Sequence, residues 1–282
     1  MMGFTIRCNQ CGNEVELYQT DTVNRIGRND EKIFSHTNGL ACDCGNKVHN
    51  NLTKEFFFQV KQCGLHVEEH IIRLQNFTYQ LNGYEAVWAS GCLSRALGII
   101  DSSLTILELL PIVTKRHSEG YDHLVAMSKS SYSYDNLLSL FHDLLDNIGF
   151  MYGVKVLKNS VEERASSFFQ LFDRNEGKLS NPSTNENINQ TLQDIYENAK
   201  EFADRDNQYK HKFSPGLIQL HQPEGFIRSL GSSAGNISDF LDLGAVPTDK
   251  AYSDARKIKD EVLYLALSCA VQLIFYDNEG LL

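Results

Sequence analysis

The chain has 282 residues, 42% of them hydrophobic, which suffices for one large domain or two unequal ones with a real core. Its 26 Lys and Arg stand against 36 Asp and Glu, a formal charge of −10 that excludes a generally basic, duplex-coating surface and leaves room only for a local basic patch. No apolar run reaches the roughly 18 residues of a membrane helix, and MMGFTIRCNQ lacks the basic-then-apolar order of an export signal, so the expectation is a cytoplasmic protein with no membrane partner.

Seven cysteines are clustered toward the front. Cys8 and Cys11 form a CxxC followed by Gly12, and Cys42 and Cys44 form a CxC followed by Gly45. Short alternating runs, FTIRC, EVEL and LACDCGNKVH, predict two small hairpins that bring these pairs together. Four thiolates around one ion leave no open coordination position, so the expected cofactor is a structural Zn²⁺, in a zinc ribbon over residues 1–52. A redox CxxC belongs at a helix start rather than in a hairpin turn, and scattered core thiols are the other reading. Such ribbons resemble those that bind nucleic acid or protein partners.

Residues 53–133 form a linking region, mixed at first and helical later. The aromatic-rich stretch after Thr53 is only partly periodic, and its assignment between strand and helix stays open. His66 and His70 in HVEEH share a helix face but lack the HExxH order, which makes them a solvated or structural pair rather than metal ligands. From Tyr84, apolar residues at Leu93, Leu97, Ile100, Leu104 and Leu107 predict a helix limited by Pro111.

Residues 134–282 predict a helical bundle. Leu137, Phe141, Leu144, Ile148 and Met151 mark one face, with Asp135 as a starting cap; Ser160 and Glu163 offer a capping box for the next helix. Residues 174–190 are polar and breaker-rich, a loop. Leu192, Ile195, Ala199 and Phe202 resume helical spacing, and Asp194, Glu197, Glu201 and Asp204 form a wet face. A hairpin follows, Leu217–Leu220 against Phe226–Leu230. The final helix carries Ile258, Val262, Leu265, Cys269, Leu273 and Tyr276 and is apolar enough to pack centrally. The fold class expected is therefore mainly α, a helical bundle preceded by a small β-rich four-cysteine zinc ribbon.

Arg205 to Phe213, RDNQYKHKF, concentrates groups able to cut RNA without a metal. His211 titrates near neutrality and can take a proton from a ribose 2′-oxygen, and Arg205 can hold two phosphate oxygens in a fork. Asp206 and Asn207 can orient them, Tyr209 can stack on a base, and Lys210 and Lys212 attract the RNA backbone. Arg205 and His211 are six residues apart, about 120° around a helix axis, so one pocket requires a loosened helix end or a second subunit, hence a homodimer. The equally direct alternative is that Arg205 and Lys210 pair with acidic neighbours and His211 finishes the helix beside its negative dipole end.

The segment from Tyr134 to Tyr276, with Arg205, Asp206 and His211 ahead of a final long helix, resembles the HEPN family of helical-bundle proteins. Aligned through NQYKH, Asp206 stands where that family's arginine usually stands and Arg205 lies one place earlier. The resemblance implies a metal-independent endoribonuclease of a toxin or antiphage defence system, acting on single-stranded RNA as a dimer, with Arg205, Asp206 and His211 as its catalytic set. Against it stands a noncatalytic zinc-ribbon and helical-bundle module that binds a protein or nucleic acid partner.

Overall fold

In a computed structural model the described residues are 67–81, 83–114, 121–161, 167–211 and 246–276, the strand segments named below, and the single residues Cys44 and Cys63. This region is mainly helical. Helix α1 (Val67–Gln80) buries Val67, Ile71, Leu74 and Phe77 at i, i+4 and i+7 spacings, which resolves the ambiguous aromatic-rich stretch as helix from Val67 onward. His70 is buried on the same element beside the Tyr264 ring, at 5.2 Å between centroids, so it is a structural residue; His66 lies outside the described residues.

Helices α2 (Tyr84–Thr114) and α3 (Tyr121–Lys155) form the long hairpin of the bundle. Their cross-contacts run in opposite order: Lys155 Nζ donates to Glu85 Oε1 at 2.8 Å, Arg95 faces Asp143, and Asn136 Nδ2 donates to Ser102 Oγ at 2.9 Å. The two helices are therefore antiparallel. Gly98 marks their closest approach, since a Cβ there would stand 2.6 Å from Leu140 Cδ1.

The buried face of α2 differs from the one its leucines suggested. Ala89, Cys92, Ala96, Ile99, Ser103, Ile106 and Leu110 are buried; of the expected face Ile100 is buried too, whereas Leu93, Leu97, Leu104 and Leu107 are only partly so. Gly98 and Ser102 face α3, and the leucines lie about one residue around the helix from the buried set. Pro111 does not stop α2, which runs to Thr114; a proline there withholds a single N–H from the ladder.

Helix α3 starts well before Tyr134. Asp135 is thus an interior residue and not a cap, and the boundary between residues 133 and 134 falls inside one continuous helix. The early part reads as polar because its buried face uses Ser130 and Ser133 alongside Ala126 and Met127. Beyond it, Leu137, Phe141, Leu144, Ile148 and Met151 are all buried as the periodicity predicts.

A short 3-10 turn, Phe168–Leu171, follows, its start held by the Ser167 amide donating to Gln170 Oε1 at 3.2 Å. Glu163, half of the expected capping box, lies outside the described residues. Gly177 takes a positive φ of 65° and presses against the Tyr196 ring, where a Cβ would meet Cε1 at 3.0 Å. That contact seats the polar loop on α4 (Glu186–His211). The helix starts within the expected loop, because Asn185 caps it: its Oδ1 accepts from the amides of Asn187 at 3.0 Å and Ile188 at 3.3 Å.

Helix α5 (Thr248–Lys257) continues without a break through a π turn, Ile258–Val262, into α6 (Leu263–Ile274). Leu263, Ala266, Leu267, Ala270 and Leu273 are buried, and α6 touches α1, α2, α3 and α4, the central position its apolar length requires. Cys92 and Cys269 are core thiols here; burial pushes Cys92 up to about 12 and raises Cys269 as well.

The strands lie outside the bundle helices in sequence. Antiparallel ladders pair β1 (Gly3–Arg7) with β2 (Glu14–Tyr18), β3 (Val23–Asn24) with β4 (Ile33–Phe34), and β5 (Leu40–Ala41) with β6 (Lys47–Val48). The predicted later hairpin is present as β7 (Leu217–His221) against β8 (Phe226–Ser229), extended by β9 (Ser232–Ser233), while β10 (Val246–Pro247) lies parallel to β7. No described helix is long and apolar enough to cross a membrane.

Candidate functional site

Arg205 and Asp206 are consecutive on α4, so their side chains leave the helix about 100° apart. They enter two different environments. Arg205 turns toward α3 and α5, where its Nη1 donates to Tyr134 Oη at 2.7 Å and to Asp254 Oδ2. Tyr134 Oη in turn donates to the same Asp254 Oδ2 at 2.7 Å, and Lys250 Nζ lies 3.1 Å from Asp254 Oδ1.

Tyr134 is fully buried, Asp254 is 1% exposed, and the Arg205 side chain is 17% exposed. A carboxylate so far from water requires compensating charge, and here two cations and a phenol supply it. Burial and then the Asp254 charge push the Tyr134 phenol far above its ordinary range, so it stays protonated. For Arg205, burial works against the charged form, but Tyr134, Asp254 and Glu201 more than offset it and raise its pKa.

Asp206 points the other way. It is 2% exposed, and its Oδ2 accepts from His142 Nδ1 at 2.6 Å. With Nδ1 facing the Asp206 carboxylate, Nε2 is the ring nitrogen left on the far side of the imidazole. Nε2 lies 3.9 Å from Asp146 Oδ2, one helical turn on, too far for a hydrogen bond. Asp146 is tied down separately: its Oδ1 accepts from the Phe168 amide at 3.1 Å, anchoring the 3-10 turn to α3. Asp135, exposed at its outer edge but crowded by protein, is raised to about 6, first by desolvation and then by the Asp206 charge.

His142 and Asp146 border a half-open cleft of about 690 Å³ between α3, the 3-10 turn, the loop after it and α4. Phe169, Arg174, Tyr196 and Lys200 also line it. The Tyr196 ring stacks on Phe172 at 4.3 Å between centroids, with Lys200 Nζ 5.6 Å from its ring centre.

The other expected site residues divide as follows. His211 closes α4, and Asn207, Tyr209 and Lys210 precede it on the same helix, but the side chains of all four lie outside the described residues, as does Lys212 entirely. Cys8, Cys11 and Cys42 also lie outside them, while Cys44 occupies an exposed turn between β5 and β6. Among the described residues no group of three or more His, Cys, Asp and Glu is placed to hold a metal ion. Of the expected wet face Glu197, Glu201 and Asp204 are exposed, and Asp194 is half-buried.

Sequence reasoning missed Tyr134, His142 and Asp254. The i, i+4 spacing of His142 and Asp146 in HDLLD was a local signal; Asp254, 49 positions from Arg205, gave none. Compared with family models, with curated proteins and with solved structures, the chain matches none.

Proposed function

We propose that the chain is a noncatalytic zinc-ribbon and helical-bundle module that binds a protein or nucleic acid partner, with Arg205 and Asp206 acting as struts of the bundle. The observation that carries this reading is the Arg205 network: a guanidinium already held by Asp254 and Tyr134 has to leave a buried carboxylate with Lys250 as its one remaining cation among the described residues before it can clamp a phosphate. The continuity of α4 through His211 supports it further, because an intact helix keeps Arg205 and His211 on sides about 120° apart. A ribonuclease built on Arg205, Asp206 and His211 then depends on a second copy of the chain to complete its centre.

For the front of the chain, the β1–β2 connection carries Cys8 and Cys11, the β5–β6 connection carries Cys42 and Cys44, and β2 lies against β5. That placement fits four thiolates on one structural Zn²⁺, which would stabilise the ribbon and leave no position for substrate. The test is an RNA assay. The purified chain, without chelator, should leave single-stranded RNA intact; cleavage lost in His211→Ala at unchanged thermal stability would replace this proposal with the ribonuclease.

A further inference from the structure

We propose that the cleft between α3, the 3-10 turn and α4 is a binding site for a small aliphatic polyamine. Asp146, Asp173 and Asp204 would accept from its ammonium groups, and the Phe169, Phe172 and Tyr196 rings would lie against its methylene chain. The inference stands whether or not the bundle also binds a macromolecular partner.

The cleft has the size and the braced wall of a ligand site. Its volume of about 690 Å³ falls within the roughly 300 to 1,000 Å³ of small-molecule sites. Tyr196 stacks on Phe172 at 4.3 Å between centroids, and Phe169 lies 6.0 Å from Tyr196 and 5.3 Å from Phe168. Rings that already pack on one another present an apolar surface that need not be ordered when a ligand arrives.

Charge selects the sign of the ligand. Three carboxylates line the cleft, Asp206 lies beneath them against His142, and the cations in the wall are Arg174 and Lys200, both exposed. The chain as a whole carries a formal charge of −10, which adds attraction for a cation. Acceptor capacity also remains. Asp146 Oδ1 takes the Phe168 amide at 3.1 Å, and Asp173 Oδ1 takes the amides of Asn175 and Glu176, both at 2.8 Å. The second oxygen of each, and both oxygens of Asp204, accept no hydrogen bond among the described residues.

The spread of those carboxylates selects an organic cation over a metal ion. Asp146 comes from α3, Asp173 from the loop after the 3-10 turn and Asp204 from α4, and among the described residues no three such groups are placed to hold one ion. A chain whose ammonium groups are separated by methylenes can reach carboxylates that do not converge on a point. The wall already receives an alkylammonium of the protein's own, since Lys200 Nζ stands 5.6 Å from the centre of the Tyr196 ring. A ligand ammonium would compete with Lys200 for that face.

The test is calorimetric titration of the full chain with spermidine at constant ionic strength. The expected result is saturable one-to-one binding, weakened at least about tenfold when Asp146→Asn, Asp173→Asn and Asp204→Asn are combined. Each Asn keeps an oxygen able to accept the backbone amides, so the turn and loop should stay anchored. Lys200→Met should strengthen binding, because it removes a like charge and vacates the Tyr196 face; this exposed substitution reads the site even if the triple variant fails to fold. Glu186→Gln with Glu197→Gln, exposed acids of α4 that do not line the cleft, should leave affinity within about twofold. Absence of saturation overturns the proposal, as does weaker binding in Lys200→Met or an equal loss in the Glu186 and Glu197 variant. Displacement of spermidine by Mg²⁺ at equal charge would reduce the effect to screening. A short lysine peptide that binds more tightly than spermidine would assign the cleft to a partner protein's side chain and overturn the small-ligand reading.

Discussion

Replacing Asp254 by Leu is the sharpest perturbation of the Arg205 network, because it strands a guanidinium and a buried phenol at once. Removing one partner of a buried ion pair typically destabilises a protein by about 3–5 kcal/mol. The Arg205 side chain keeps 17% exposure and can regain some water, so the lower part of that range, about 3 kcal/mol, is expected. In a domain of this size that corresponds to a fall in Tm of roughly 6–12 °C. Arg205→Met strands Asp254, which retains Lys250 at 3.1 Å, and should destabilise by about 2 kcal/mol. The double variant removes both charges and leaves only the Tyr134 hydroxyl without them, so it should be more stable than the sum of the single losses by about 2 kcal/mol. Urea unfolding followed by fluorescence of the sole tryptophan, Trp88, measures all four corners of the cycle. Losses that add within about 0.5 kcal/mol would refute the coupling, and an Arg205→Met variant as stable as the parent would refute the strut itself.

Gly177→Ala should destabilise by about 1–2 kcal/mol, since it adds a Cβ 3.0 Å from Tyr196 at a φ of 65°; chemical denaturation checks this. Asn185→Ala removes the acceptor for two α4 amides and should lower stability by about 1 kcal/mol, a change Gly at the same position should largely avoid. Asp135 is raised in the folded state from an ordinary value near 3.8 to about 6, so the fold binds its proton more tightly. Its contribution is fully present below about pH 4 and is lost as pH rises toward 6; exposure reduces the effect to about 1 kcal/mol. Asp135→Asn should therefore stabilise at pH 7 but not at pH 3.5, and an equal effect at both pH values would contradict the assignment. Metal analysis should find about one zinc per chain, lost when Cys8 and Cys42 are both changed to Ser; a chain that keeps its zinc after that change has other ligands.

Much of the bundle was legible because helix faces are local. Leu137 to Met151, Leu192 to Phe202 and most of the final helix repeat at three and four residues, and burial follows that period wherever large apolar side chains mark it. The reading failed where the buried face is made of small or polar residues. On α2 the eye follows Leu93 and Leu97, but the buried positions beside them are Cys92 and Ala96, and Gly98 is where α3 comes close. The start of α3 was hidden in the same way by Ser130 and Ser133.

The candidate site was legible in a different sense. Sequence alone placed Arg205, Asp206 and His211 on one helix end and supplied the chemistry of each side chain, since both depend only on residue type and local spacing. Which partner each one meets was decided by tertiary structure. Arg205 finds Tyr134 from 71 positions earlier and Asp254 from 49 later, and Asp206 finds His142 across 64. No local pattern encodes such pairings, because they are fixed by how α3, α4 and α5 pack and by the need of each buried charge for a counter-charge once water is excluded.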